Sequence, residues 1–376
     1  MKFLDCEIKN YKWGKVGNES IIAQFCKEKT EDPNLNYAEW WFGTHQNGMS
    51  ILKNEKLSLK FYLGRDLPFL FKILSVKTAL SVQVHPSKEK AVLYNKEEPE
   101  TYKDDNHKPE MCIAITKFVL LCGFRPFEDI VDDLAKFPEI LVDILNLTDS
   151  KIREEMTTKQ IFAKVFSFDS PKFPQILAKI LSSSNLKQNF SDLVILLNRQ
   201  YPNDIGVLAP FFLNKISLDP GEAIFIPNGT PHAYVQGDCY EAMACSDNVI
   251  RCGLTPKRKD LDRFVDCAEF SSGTEVLLIK PEIQNDFTTV YNSPENVGIE
   301  FFVEKMGSEK GENCLNCHEN ESILFVSEGK DLALKNDKNN ERIIVNKGDI
   351  LLIEQNEKIV AESNKNYELI RCCSNK

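Results

Sequence analysis

Apolar and polar positions along this chain change period twice. Over the first 125 residues the apolar positions fall in short runs bounded by Gly, Pro, Asn and Asp, which is the pattern of strands and turns. Residues 69–76 predict an apolar strand, 79–84 a shorter one, and 111–122 a long one. Between Pro126 and Tyr201 the spacing becomes helical: Ile130, Leu134, Phe137, Leu141, Ile144 and Leu145, then Ile161, Phe162 and Val165, then Ile176, Leu177, Ile180 and Leu181, then Leu193, Leu196 and Leu197. Pro138 predicts a kink or break within that stretch. Strand patterning returns at 223–226. An amphipathic, helical segment at 261–270 precedes further strands at 276–279, 299–303, 323–326 and 343–353. The expected class is therefore mainly β with an α-helical insertion. A discontinuous β domain (1–125 plus 206–270) would be interrupted by helices (126–205) and followed by a second β domain (271–376).

The second β domain echoes the first. Gly348-Asp349-Ile350-Leu351-Leu352-Ile353 repeats the pattern of Gly221-Glu222-Ala223-Ile224-Phe225-Ile226, yet eleven residues after Gly221 stands His232, while eleven after Gly348 stands Ile359. The C-terminal part is expected to keep the fold of the first and to lack its histidine.

Composition narrows the function classes. At 376 residues, with 42% hydrophobic and 27% charged residues, the chain can build two or three domains around substantial cores. No apolar run approaches the roughly 18 residues of a membrane span, and charge breaks the N-terminus before a signal-peptide core could form, so a cytoplasmic protein is expected. A net charge of −10 argues against nucleic acid or an anionic membrane as partner. The basic cluster Arg251, Lys257, Arg258 and Lys259 keeps an anionic small molecule in play. The twelve cysteines show no framework of paired spacings and read as free thiols. Cys314-Leu315-Asn316-Cys317-His318 matches the c-type haem attachment pattern. It sits in a polar run, 308–322, that reads as a loop, and the export signal such attachment needs is not expected.

Candidate chemistry concentrates in three places. Gln83 and His85 lie two apart at the end of a strand, on one side of it, and can converge on one ion before Pro86 ends the ladder. Tyr102-Lys103-Asp104-Asp105-Asn106-His107-Lys108-Pro109-Glu110 precedes the long apolar strand. Pro231 to Lys257 gathers His232, Glu241, Arg251 and Lys257. His45 and His107 read as structural residues, His107 because it faces opposite to Lys108 in an extended segment.

The glycine turn at Gly221 followed by Pro227-x-x-x-x-His232 is similar to the second motif of cupin barrels. Together with Gln83-x-His85-Pro86, Tyr102-x-Asp104-x-Asn106-His107-Lys108-Pro109-Glu110, His232-Ala233-Tyr234 and Arg251-x-Gly253-x-Thr255-Pro256-Lys257, the chain resembles the type I phosphomannose isomerases, zinc-dependent enzymes of the cupin class. These motifs occur in order, and the family's architecture accounts for essentially the whole chain. The resemblance implies cupin or jelly-roll barrels, the second degenerate, and interconversion of mannose 6-phosphate and fructose 6-phosphate through a cis-enediol. It implies one Zn²⁺ per chain on Gln83, His85, Glu110 and His232, a donor set that suits this ion. Arg251 is the candidate for stabilising charge on the sugar oxygens; Lys108, Lys257 and Ser81 are candidates for the phosphate, with Lys108 placed among the catalytic groups. Glu241 reads equally as an acid/base group or as an orienting one. Tyr240 departs from the family pattern, which has an aliphatic residue there, and is expected to shape the wall beside Glu241. A monomer acting on a small sugar phosphate is expected. The alternative is a metal-binding cupin that binds or senses a sugar phosphate without turnover, and Gln83 disfavours an iron dioxygenase.

Overall fold

The protein is described from a computed structural model covering residues 1–186, 188–270, 277–294, 301–308 and 311–374. Sixteen strands position the site: β1 (Lys2–Asp5), β2 (Glu39–Phe42), β3 (Phe69–Val76), β4 (Val82–Val84), β5 (Glu110–Ala114), β6 (Phe118–Phe124), β7 (Leu213–Leu218), β8 (Ala223–Ile226), β9 (His232–Ala244), β10 (Ile250–Gly253), β11 (Leu277–Ile279), β12 (Thr288–Tyr291), β13 (Phe301–Ser308), β14 (Ser322–Glu328), β15 (Ile350–Ile353) and β16 (Tyr367–Ser374). The mainly β class with a helical insertion is what the chain adopts.

In the first unit one sheet runs β11-β8-β5-β9-β3-β2, and the start of β9 also belongs to a second sheet, β7-β6-β9-β4-β10. β3 shows why alternation matters. Phe69, Phe71 and Ile73 face a core shared with the second unit, packing with Trp40, Phe42, Tyr240 and Phe325. Leu70, Lys72 and Leu74 point the other way and line a cleft. Helices at Phe127–Leu134, Asp149–Glu155, Thr158–Phe166, Phe173–Ser182 and Gln188–Gln200 form the insertion, with a π-helical segment at Glu139–Leu145 directly after Pro138. Their apolar faces share one core with Val82, Val84, Leu121 and Ile250 of the second sheet, so the helices brace that sheet from outside.

The second unit repeats the first strand for strand, in the order β1-β15-β14-β16-β13-β12. The registers coincide. Ile226 lies opposite Glu110, Glu110 opposite Met243 and Met243 opposite Leu70. In the second unit Ile353 lies opposite Ser322, Ser322 opposite Cys373 and Cys373 opposite Phe302. The units also exchange edge strands: β1, from the N-terminal stretch, covers β15, and β11, from beyond residue 270, covers β8, so each end strand shields an edge that would otherwise be open.

Several local expectations are corrected. The apolar run at 111–122 is two strands, because Ile115 and Thr116 both donate backbone N–H groups to the Asp238 carbonyl and turn the chain there. The run at 343–353 likewise divides into Arg342–Val345 and β15 around the Gly348 turn, where φ is +92°. The strand expected at 79–84 is confined to β4, and the helix at 261–270 to Leu261–Cys267. The polar run at 308–322 is not all loop, since Gly311–Cys314 pairs with Ile359–Ser363. Of the C-terminal strand expectations, Val276, Ile299 and Glu300 lie outside the described residues. Among the described residues, no helix is long and apolar enough to cross a membrane.

Candidate active site

Three adjacent strands bring the first donors together. Gln83 of β4 lies directly opposite His232 on one side and Arg251 on the other, so β9, β4 and β10 present His232, Gln83 and Arg251 in a row. His85 follows β4, and Glu110 opens β5. His85 Nε2 is 3.3 Å from Glu110 Oε1, His232 Nε2 is 3.2 Å from Glu110 Oε2, and the Gln83 side-chain amide is 3.1 Å from His232 Nε2. His85, Glu110 and His232 are each about 1% exposed.

Both imidazoles are held by their far nitrogens. His85 Nδ1 lies 2.6 Å from the Asn248 carbonyl and His232 Nδ1 2.9 Å from the Thr230 carbonyl. A carbonyl only accepts, so each Nδ1 carries the proton and each Nε2 turns a lone pair toward Glu110. Burial, then the charge of Lys108, lowers the His85 pKa to about 4, which keeps the ring neutral. Burial alone would raise the Glu110 carboxyl, but the charge of Lys108 opposes it, and the group is held well below the usual range. Lone pairs and a carboxylate thus face one another, and His85 Nε2 and Glu110 Oε2 are buried without a hydrogen-bond partner. Such a set fits a cation. Rotating the Gln83 amide by half a turn exchanges its oxygen and nitrogen and adds an oxygen donor on the His232 side.

The motif residues around Lys108 explain how this cluster is held. The Asp104 carboxylate accepts from the Ser246 hydroxyl at 2.8 Å and the Asp247 N–H at 2.7 Å, while Asn248 Nδ2 donates to the Asp104 and Asn106 carbonyls at 2.7 and 2.9 Å. The 104–106 turn therefore fixes Asn248, and Asn248 fixes His85. His107 leaves the cluster, its Nδ1 lying 3.2 Å from Asn228 Nδ2. His45 also lies apart, 3.3 Å from Asp247 and edge-on to Trp41.

A cleft of about 660 Å³ opens above Glu110, within the range of small-molecule sites. Gln83, Lys108, Glu241, Arg251, Ser81 and Lys257 all line it. Lys108 Nζ is 2.7 Å from Glu110 Oε1, near the floor. Arg251 is half-buried, which lowers its pKa, and Lys257 is exposed toward the mouth. The other two members of the basic cluster face elsewhere, Arg258 pairing with Glu98 and Lys259 with Asp204. Tyr240, expected beside Glu241 in the wall, points instead to the opposite face of β9 and stacks with Phe71 in the core between the units, because neighbours along a strand alternate.

Lys72 and Glu39 were not singled out from the sequence, whereas the tryptophan segments were expected to border a ligand pocket along one rim, as Trp13 and Trp41 do. Lys72 is 5% exposed, lies opposite Glu241 across β3 and β9, approaches its carboxylate to 3.1 Å and sits over the Trp41 ring at 4.7 Å. Burial opposes the charge on Lys72, but Glu241, Glu39 and Glu110 more than offset it and raise its pKa; burial raises that of Glu241. The signal was a lone lysine inside an apolar strand. Tyr234 also lines the cleft with a buried hydroxyl that has no hydrogen-bond partner.

Comparison with known proteins agrees with this geometry. The family model for the catalytic domain of type I phosphomannose isomerase matches residues 1–63 and 52–127, and that for its helical insertion domain matches 138–213. The chain is 35% identical to mannose-6-phosphate isomerase of Rattus norvegicus, over 98% of this chain and 97% of that protein. It is 35% identical to the Schizosaccharomyces pombe enzyme of the same name, over 87% and 88%. An alanine variant of phosphomannose isomerase from Salmonella typhimurium superposes with a TM-score of 0.86 at 27% identity over the full length of both chains. A zinc-bound holo form of mannose 6-phosphate isomerase superposes at 0.85 and 26% identity over 99% of each chain. With family models matching its N-terminal and helical segments and relatives 35% identical over most of its length, the chain belongs to the type I phosphomannose isomerase family.

Proposed function

We propose that the protein interconverts mannose 6-phosphate and fructose 6-phosphate in this cleft, with zinc held by Gln83, His85, Glu110 and His232. The observation that carries the reading is the pair of buried acceptors, His85 Nε2 and Glu110 Oε2, left without partners at the cleft floor. Zinc bound there would supply a Lewis acid for an oxygen of the sugar.

The chain's own groups do the rest. Aldose–ketose interconversion through a cis-enediol moves a proton between C1 and C2. Glu241, whose pKa is raised by burial, is the group we assign to take and return it, with Lys72 keeping the carboxylate ionised and fixed. The Arg251 guanidinium offers fixed donors for charge developing on O1 or O2, and Lys108 supplies a second cation near the floor. Lys257, which is exposed, and Ser81, whose hydroxyl donates to Gln83 Oε1 at 3.1 Å, take the phosphate.

A coupled assay consuming fructose 6-phosphate tests the reading. Turnover lost on chelation and restored by zinc is expected; binding of the sugar phosphate without turnover in zinc-loaded protein would favour a sensor instead. Lys257→Ala is expected to raise KM about tenfold with kcat within about twofold, since a phosphate contact far from the reacting carbons acts in ground and transition states alike; steady-state kinetics distinguish this from a fall in kcat. Asn248→Ala is expected to weaken zinc binding roughly 10- to 100-fold by releasing the loop behind His85, as loss of a partner behind a ligand typically does. A competition titration with a chromophoric chelator measures it.

A further inference from the structure

The second β unit carries a polar cluster at the register positions of the active-site floor. Arg371 stands where Glu241 stands in the first unit and Glu304 where Lys72 stands, so the buried cross-strand ion pair recurs with its signs exchanged. Ser322 takes the position of Glu110, and Cys373 that of Met243. Glu304 and Arg371 are 0% and 1% exposed, and Cys373 is fully buried.

The loop after the Gly311–Cys314 strand closes over this face. Asn316 Nδ2 donates to Glu304 Oε1 at 2.6 Å, and His318 brings Nε2 to 3.0 Å from Glu304 Oε2 with its ring edge-on to Phe302. Cys373 Sγ is 3.8 Å from the same oxygen. One atom each from Glu304, His318 and Cys373 therefore lie within 4.8 Å of one another. Glu304, His318 and Cys373 are joined by these contacts, and the network is left open at Arg371. Arg371 Nε donates to the Ser322 hydroxyl at 2.7 Å and Nη1 to the Asn316 carbonyl at 2.6 Å, but Nη2 is buried with no partner.

We propose that Glu304, His318 and Cys373 form a second metal site, selective for a zinc-class divalent cation, in the C-terminal unit. Thiolate, imidazole and carboxylate together select zinc over magnesium or calcium, and three protein ligands leave a fourth position open to water. On binding, the Cys373 thiol gives its proton to solvent, and the His318 Nε2 lone pair turns to the ion as its ring proton moves to Nδ1. Arg371 remains beside Glu304, and its free Nη2 can donate to an anion or water in the fourth position. The absence of a histidine at Ile359 does not bear on this site, because its histidine arrives from the loop and its sulfur from the last strand. The exposed thiols of the Cys-x-x-Cys motif, Cys314 and Cys317, are not among the donors.

Cobalt titration of the metal-free full chain tests the proposal apart from the isomerase reading, since the four donors at Gln83, His85, Glu110 and His232 include no sulfur. Bound Co²⁺ is expected to give a near-ultraviolet thiolate-to-metal charge-transfer band that saturates by two equivalents per chain, one for each cation site. The band should persist in His232→Ala and in the double variant Cys314→Ser, Cys317→Ser, and vanish in Cys373→Ser. His318→Ala, a change in a half-buried loop, should raise the cobalt concentration for half-saturation at least about tenfold while isomerase turnover stays within twofold of the parent, which also reports that the chain is folded. Absence of the band from the parent protein, its loss with Cys314 and Cys317, or its indifference to His318→Ala would each overturn the proposal.

Discussion

His232→Ala is expected to lower kcat/KM for mannose 6-phosphate by at least about a thousandfold, the scale on which losing metal-based stabilisation of about 4 kcal/mol appears. His232 is the donor that joins the two sheets of the site: its backbone pairs with Gln83 and its Nε2 lies 3.2 Å from Glu110. Removing the ring leaves Gln83, His85 and Glu110 without the fourth donor. The fold should survive, because the net worth of the ring's hydrogen bonds is about 1–2 kcal/mol. Steady-state kinetics with far-ultraviolet circular dichroism check both halves. A folded variant with parental activity would remove the metal from the account.

The second large effect is on Lys72. Lys72→Met leaves Glu241 buried without its partner, a situation that costs roughly 3–5 kcal/mol. Turnover should fall at least about a hundredfold as well, since the carboxylate that moves the proton then becomes neutral or misplaced. Trp13 and Trp41 line the cleft of the first unit and Trp40 lies in the core the two units share, so tryptophan fluorescence during urea unfolding reads the stability of the first unit and of that shared core. The double variant Lys72→Met, Glu241→Leu separates the two effects: replacing both charges by apolar groups should restore most of the stability and none of the turnover. Equal loss of stability in the single and double variants would show that the pair is not what matters at this position.

The parts of this site legible in the sequence are those whose logic is local. Gln83 and His85 share a strand face two residues apart, and the Pro227 and Gly229 turn delivers His232 six residues on from the end of β8. Arg251 and Lys257 stood out in the dense stretch from Pro231 to Lys257, whereas Glu110 as a ligand came from the resemblance. What stayed hidden depends on contacts across long separations. Lys72 meets Glu241 over 169 positions, and nothing near Phe71 or Ile73 announces that partner. The break between β5 and β6 depends on Asp238 in a different strand, so an apolar run that looks continuous is divided by a distant carbonyl. Tyr240 was misplaced for a simpler reason: adjacency to Glu241 in a strand means the opposite face. The strand exchange of β1 and β11 is likewise invisible to patterning, because an edge strand reads the same whichever sheet it joins. The echo at Gly348 did reveal the second unit, but its polar face depends on pairing Glu304 with Arg371, residues that patterning alone cannot align.

Anomalous diffraction at the zinc edge, on crystals of zinc-loaded protein, tests the central claim most directly. The account predicts a strong peak at the cleft floor, roughly 2.0–2.2 Å from Gln83 Oε1, His85 Nε2, a Glu110 oxygen and His232 Nε2. No peak among those four donors, with zinc bound only elsewhere in the molecule, would contradict it.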